Sequence, residues 1–160
     1  MSDVNLVPIG PGALALYHRP KLKDLPALRA AGVTHLVTLL AENEGASQLG
    51  SAATRAGLGW IWVPFHGAAI PDADQTAELR QALLELRELI MSGKKLMIHC
   101  SAGIHRTGMF GYALLRQLGL SAETARAKLA QLRAPTAEGV GQNRLSWGDA
   151  LVGSISDKGA

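Results

Sequence analysis

Short apolar runs alternate with stretches of helical period along almost the whole chain. Gly12 to Tyr17, Val33 to Leu40, Trp60 to Phe65 and Lys95 to His99 are short and mainly apolar, as strands of a buried sheet are. Between them lie helical segments closed by glycine. Asp24 to Ala31 reads as a short helix before Gly32, with Asp24 as N-cap and Pro26 in its first turn. Ala46 to Ala56 precedes Gly57. A long helix capped by Asp72 or Asp74 runs to Met91, before Gly93, with Leu79, Leu83, Leu86 and Ile90 as its apolar stripe. Thr107 to Leu118 is helical and stops at Gly119, Ser121 caps a helix to about Leu132, and a last helix covers roughly Gln142 to Ile155. Strands alternating with helices predict an α/β fold around a largely parallel sheet. Ligands of such sheets bind beyond the carboxyl ends of the strands.

The length of 160 residues fits one domain, with its core over about 10–155. Hydrophobic residues at 48% and charged residues at 18% exclude a disordered chain. Aromatics are only 4%, so the core has to be built from Ala, Leu, Val and Ile. A net charge of +3 is too small to mark a nucleic-acid protein and slightly favours anionic ligands. The single cysteine, Cys100, excludes an internal disulfide framework and a Cys-rich zinc site. The histidines show no metal-ligand spacing, so no metal and no cofactor are expected. The start Met1-Ser2-Asp3-Val4-Asn5 has no secretory pattern, and no apolar run reaches the ~18 residues that span a bilayer. The expectation is a reduced, cytoplasmic protein with no membrane contact.

The segment that carries chemistry is His99-Cys100-Ser101-Ala102-Gly103-Ile104-His105-Arg106-Thr107-Gly108. An apolar strand delivers Cys100 into a loop of small residues that runs straight into a helix. Consecutive loop amides and a helix N-terminus make a cradle for an anion, here Ser101, Ala102, Gly103, Ile104, His105 and Arg106. Arg106, at the helix start, has a fork of donors for two oxygens of a phosphate. The same positive surroundings favour a thiolate. Thr107 is placed to donate its hydroxyl to the sulfur. The prediction is therefore a phosphate loop between a strand end and a helix N-terminus, with a nucleophile beneath it. An inert buried cysteine is the plain alternative. The coincidence of Arg106, Thr107 and the glycines disfavours it.

This run resembles the Cys-x5-Arg-Thr/Ser loop of the protein tyrosine phosphatase superfamily, in its compact dual-specificity or prokaryotic form. The resemblance implies a central, mostly parallel sheet of four to five strands flanked by helices. It further implies hydrolysis of phosphate monoesters on proteins or peptides, phosphotyrosine alone or with phosphoserine and phosphothreonine, through a phosphocysteine. No nucleic-acid partner is expected. The position before the arginine, often glycine in larger members, is His105; it either meets substrate at the rim or faces solvent.

In this superfamily an aspartate from a loop before the cysteine protonates the leaving oxygen. Ile70-Pro71-Asp72-Ala73-Asp74 offers Asp72, 28 residues before Cys100, with Asp74 as the alternative. Either is equally suited to capping the helix that follows, and Asp72 with Gln75 resembles a capping box. Relatives often place a water-orienting glutamine after a stretch like Arg133 to Glu138, a role carried to Gln142; a surface or cap residue is its plain alternative. His99 is expected to shape the loop structurally, and His66 receives no catalytic role. His18, Arg19, Lys21 and Lys23 read as a solvated face rather than a substrate rim. A catalytically inactive phosphate-binding module is the competing function. A sulfurtransferase or arsenate reductase is disfavoured by a cysteine that is central and alone.

Overall fold

The computed structural model describes residues 4–159, with side chains described up to Val152; Met1, Ser2 and Asp3 lie outside the described residues. Five strands form one sheet: β1 (Val7–Ile9), β2 (Gly12–Tyr17), β3 (His35–Thr38), β4 (Gly59–Trp62) and β5 (Lys95–His99), in the spatial order β1-β2-β5-β3-β4. β5 is parallel to both β2 and β3, β3 is parallel to β4, and only β1 runs antiparallel to its neighbour. Seven helices accompany the sheet among the described residues: α1 (Leu25–Ala30), α2 (Ala46–Arg55), α3 (Ala73–Met91), α4 (His105–Gln117), α5 (Ala122–Leu132), α6 (Ala134–Gly139) and α7 (Gln142–Gly159).

The central position of β5 explains its sequence. Four of its five residues are buried, as a strand covered on both faces and paired on both edges demands. Leu96, Met97 and Ile98 sit in a core that is mostly Leu, Ala, Val and Ile, as the low aromatic content requires. α4 is buried along nearly its whole length, and Tyr112 and Arg116 on it both bond to Asp149 of α7. That pairing fixes the helix whose first turn faces the site.

Several boundaries differ from expectation, each for a local reason. The strand expected over Trp60 to Phe65 stops at Trp62. Pro64 has no N–H to give the ladder, although the Val63 amide still reaches Thr38 O and the Phe65 amide reaches Leu39 O. Asp24 does not cap α1 with its side chain. It is the last residue of a 3-10 turn over Leu22–Asp24 and has helical backbone angles, whereas a capping side chain works from extended backbone. α4 begins two residues before Thr107 and so takes His105 and Arg106 into its first turn. β1 and α6 are additions; three residues centred on Pro8, and six begun by Ala134-Pro135, are too short to show a period.

The sheet aligns four carboxyl ends. Residues 18–19 follow β2, Cys100 follows β5, the turn Glu42–Glu44 follows β3, and Phe65 and His66 follow β4. Groups 20 to 80 residues apart in sequence therefore meet at one edge.

Candidate active site

The loop from Cys100 to Ile104 joins β5 to α4, and its carbonyls are held from outside. Cys100 O lies 3.0 Å from His99 Nδ1. Ser101 O accepts from the Arg19 amide at 2.9 Å. Gly103 O accepts from Arg133 Nη1 at 2.8 Å and from the Thr136 hydroxyl, and Ala102 O accepts more weakly from Arg133 at 3.3 Å. In a planar trans peptide the C=O and the next N–H point in opposite directions. Tying four successive carbonyls outward therefore turns the amides of Ser101, Ala102, Gly103 and Ile104 the other way. Among the described residues none of these amides has a protein acceptor. They form a concave donor set of the kind that binds anions.

Gly103 is the residue that lets the loop close. Its φ is +75°, and a Cβ there would collide with Tyr17 O and lie 2.7 Å from His18 N.

Cys100 is buried, and its Sγ accepts the Thr107 hydroxyl at 3.0 Å. Arg106 is held by a residue the sequence reading missed. Its Nη1 and Nη2 donate to the two carboxylate oxygens of Glu44 at 2.7 and 3.0 Å. Glu44 is itself fixed, because Oε1 accepts the Ala41 amide at 2.9 Å and its backbone carbonyl accepts from Arg19 Nη1. The hydrogen bond from Arg106 holds the Glu44 carboxyl below the usual carboxylate range. The same bond, helped by the Cys100 sulfur, raises Arg106 above the ordinary arginine value. Each charge favours the ionised form of the other, and the guanidinium is held as a positive fork beside the sulfur.

His99 is fully buried. Burial first, then the charges of Arg19, Arg106 and His18, push its pKa down to about 4, against the lesser upward pull of the Cys100 carbonyl. An unfolded histidine titrates near ~6.5. Between those values the unfolded chain binds a proton that the folded chain does not, so stability falls as pH drops through that window. Urea unfolding at pH 7 and pH 5 checks this: wild type is expected to lose about 2 kcal/mol more than His99→Gln over that interval.

The other expected residues are placed as follows. Asp72 is exposed and caps α3, its Oδ1 accepting the Gln75 amide at 2.8 Å. The reciprocal half of a capping box, the Gln75 side-chain oxygen accepting from the Asp72 amide, is not formed. Asp74 lies in the first turn of α3 and is exposed. Gln142 opens α7, and its Nε2 donates to Ser146 Oγ within that helix. His105 is exposed at the first position of α4. His66, Phe65, Ala68, Ala41, Asn43, Glu44 and Arg106 line a depression of about 270 Å³ beside the loop. The segment bearing its far wall is tied to α7 by Arg144, which donates to Ala68 O at 2.9 and 2.7 Å.

The basic run was expected to be a solvated face, and the structure divides it. His18, Lys21 and Lys23 are exposed, but Arg19 is partly buried and bonded to Glu44 beside the loop. Arg19, Glu44, Arg133, Thr136 and Arg144 all went unrecognised in sequence. A charged cluster straight after the buried strand β3, at Glu42-Asn43-Glu44, was the one available signal, given that ligands gather at strand ends.

Sheet, loop and arginine together define a phosphatase domain of the cysteine-loop class. The family model described as "Swiss Army Knife protein, DSP-PTPase phosphatase domain" matches residues 4–146, and the chain belongs to that family. A solved structure of Tk-PTP, in a glycine-to-alanine mutant form, is 26% identical, with 92% of this chain and 93% of that one covered and a TM-score of 0.72. Kinase associated phosphatase with its catalytic cysteine replaced by serine is 19% identical, with 99% and 97% covered and a TM-score of 0.71. TpbA of P. aeruginosa in complex with pTyr is 18% identical, with 92% and 82% covered and a TM-score of 0.58. Comparison of the sequence with curated proteins gave no match. No helix among the described residues is long and apolar enough to cross a membrane.

Proposed function

We propose that this phosphatase domain hydrolyses phosphate monoesters on proteins, phosphotyrosine first, through a phosphocysteine on Cys100. The observation that carries the reading is the arrangement around one sulfur: Thr107 Oγ1 at 3.0 Å, the Arg106 fork beside it, and four loop amides without acceptors. The complex of TpbA with pTyr supports phosphotyrosine as the first substrate to test.

In the first step the Cys100 thiolate attacks phosphorus in line. The P–O bond to the leaving group breaks, and Asp72 gives that oxygen its proton. The amides of Ser101 to Ile104, with His105 and Arg106, hold the three equatorial oxygens, whose charge grows in the transition state. In the second step water attacks the phosphocysteine. Asp72, now ionised, takes its proton and Gln142 orients it, exchanging its bond to Ser146 for one to the water. The S–P bond breaks, inorganic phosphate leaves, and Thr107 stabilises the returning thiolate. Asp72 keeps its cap through Oδ1 and acts through Oδ2.

The test compares Asp72→Ala and Asp74→Ala on a phosphotyrosine peptide and its phosphoserine counterpart. Asp72→Ala is expected to lose about 10²–10³-fold in kcat and the alkaline limb of the rate profile, while Asp74→Ala keeps both. Loss of that limb in Asp74→Ala instead moves the acid to Asp74. Tight binding of the phosphopeptide with no turnover by wild type makes the chain a binding module and refutes the reading.

A further inference from the structure

His99 sits beneath the loop, and what lies behind it forms a chain across three strands. Trp60 is on β4, Thr38 on β3 and His99 on β5, with Thr38 and His99 directly paired in the sheet register. Trp60 Nε1 lies 2.8 Å from Thr38 Oγ1, Thr38 Oγ1 lies 2.8 Å from His99 Nε2, and His99 Nδ1 lies 3.0 Å from Cys100 O. Thr38 and His99 have no exposed surface.

Donor and acceptor chemistry gives this chain a single direction. An indole N–H only donates, so Thr38 Oγ1 accepts from Trp60. A carbonyl only accepts, so the proton of His99 is on Nδ1. In the neutral ring Nε2 is then a lone pair, and the Thr38 hydroxyl points its own proton at it. The charged and titratable groups around the ring, Arg19, Arg106 and His18, all oppose a second proton.

We propose that Thr38 and Trp60 are positioning residues for the phosphate loop: they fix His99 as its Nδ1–H tautomer, which holds the Cys100 carbonyl outward and the Ser101 amide toward the anion. A hydroxyl is ambivalent and can accept from an Nε2–H as readily as donate to Nε2. The Trp60 N–H takes one of its two lone pairs and so orients the hydroxyl, biasing its proton toward Nε2. In the other tautomer a lone pair on Nδ1 would face the lone pairs of Cys100 O, and the first peptide of the loop would turn. The indole is placed for this task. Gly50, inside α2, leaves it room, since a Cβ there would lie 2.6 Å from the Trp60 ring.

The proposal rests on the phosphate-loop reading above, so its test uses readouts that do not need turnover. The ¹⁵N shifts of the His99 ring report the tautomer, and calorimetry with tungstate reports the anion cradle. Wild type is expected to carry its proton on Nδ1. Trp60→Phe and Thr38→Val are each expected to mix the tautomers and weaken tungstate about five-fold, the ordinary worth of one hydrogen bond. The double variant loses no more than the larger single one, because both act through one relay. Thr38→Ser keeps the hydroxyl and behaves as wild type. If Thr38→Val does not fold, Trp60→Phe alone and in the Thr38→Ser background carries the comparison. A wild-type ring protonated on Nε2, or losses in the two variants that multiply, overturns the proposal. A wild type that lacks turnover but shows the Nδ1 signature and these tungstate losses refutes the proposed function and leaves the relay standing.

Discussion

Cys100→Ser is expected to lose about 10⁴-fold or more of turnover while still binding tungstate, since removing a covalent nucleophile costs on that order. The serine oxygen would occupy the place of Sγ, with the Thr107 hydroxyl still 3 Å class neighbour to it and the loop unchanged around it. What it lacks is ionisation. A thiol gives up its proton far more readily than an alcohol, whereas an alkoxide needs a general base, and no described side chain supplies one at that position. His99 does not serve, because its Nδ1 proton is committed to the Cys100 carbonyl and its ring lies behind the loop. The swap is small and buried in place, so folding stability is expected to stay near wild type. Rates on a phosphotyrosine peptide and tungstate calorimetry on the same preparation check both halves. Turnover within about ten-fold of wild type would mean that another group is the nucleophile.

Arg106→Lys is the second large effect, about 10²–10³-fold in kcat. An ammonium keeps the charge but not the planar fork that serves the Glu44 carboxylate and the anion together. Lysine would follow Glu44 or the phosphate, leaving the other underserved. Glu44→Ala is expected to cost less, about ten-fold in kcat/KM, because the guanidinium remains and only its orientation loosens. In the Arg106→Lys background Glu44→Ala should add little, since the two residues act as one unit. Steady-state kinetics of the three variants decides it. Equal and additive losses would mean that Glu44 acts independently of Arg106.

The loop was legible because its information is local. The apolar run Lys95 to His99, the small residues after Cys100 and the helix beginning near Arg106 lie within fourteen consecutive positions. The order of the longer strands and helices was legible for the same reason, since each carries its own period and several a glycine stop, whereas β1 and α6 are too short to carry one. The grip on Arg106 was not. Glu44 lies 62 positions from it in sequence, and the two meet only because β3 and β5 are neighbours, an adjacency that no local pattern encodes. Arg19, Arg133 and Thr136 were hidden likewise, because a side chain that serves a backbone carbonyl leaves no residue-type signature. Asp72 shows the reverse case. Its capping bond to Gln75 was readable from spacing alone, and the acid role proposed for it comes from the resemblance of Ile70-Pro71-Asp72.

The most direct measurement is hydrolysis of p-nitrophenyl phosphate from pH 4 to 8, without added metal, by wild type and Cys100→Ser side by side. The expectation is metal-independent turnover with a bell-shaped pH profile in wild type and no turnover above background in Cys100→Ser. Turnover that survives in Cys100→Ser, or wild type that binds tungstate at the loop and releases no nitrophenol, would contradict it.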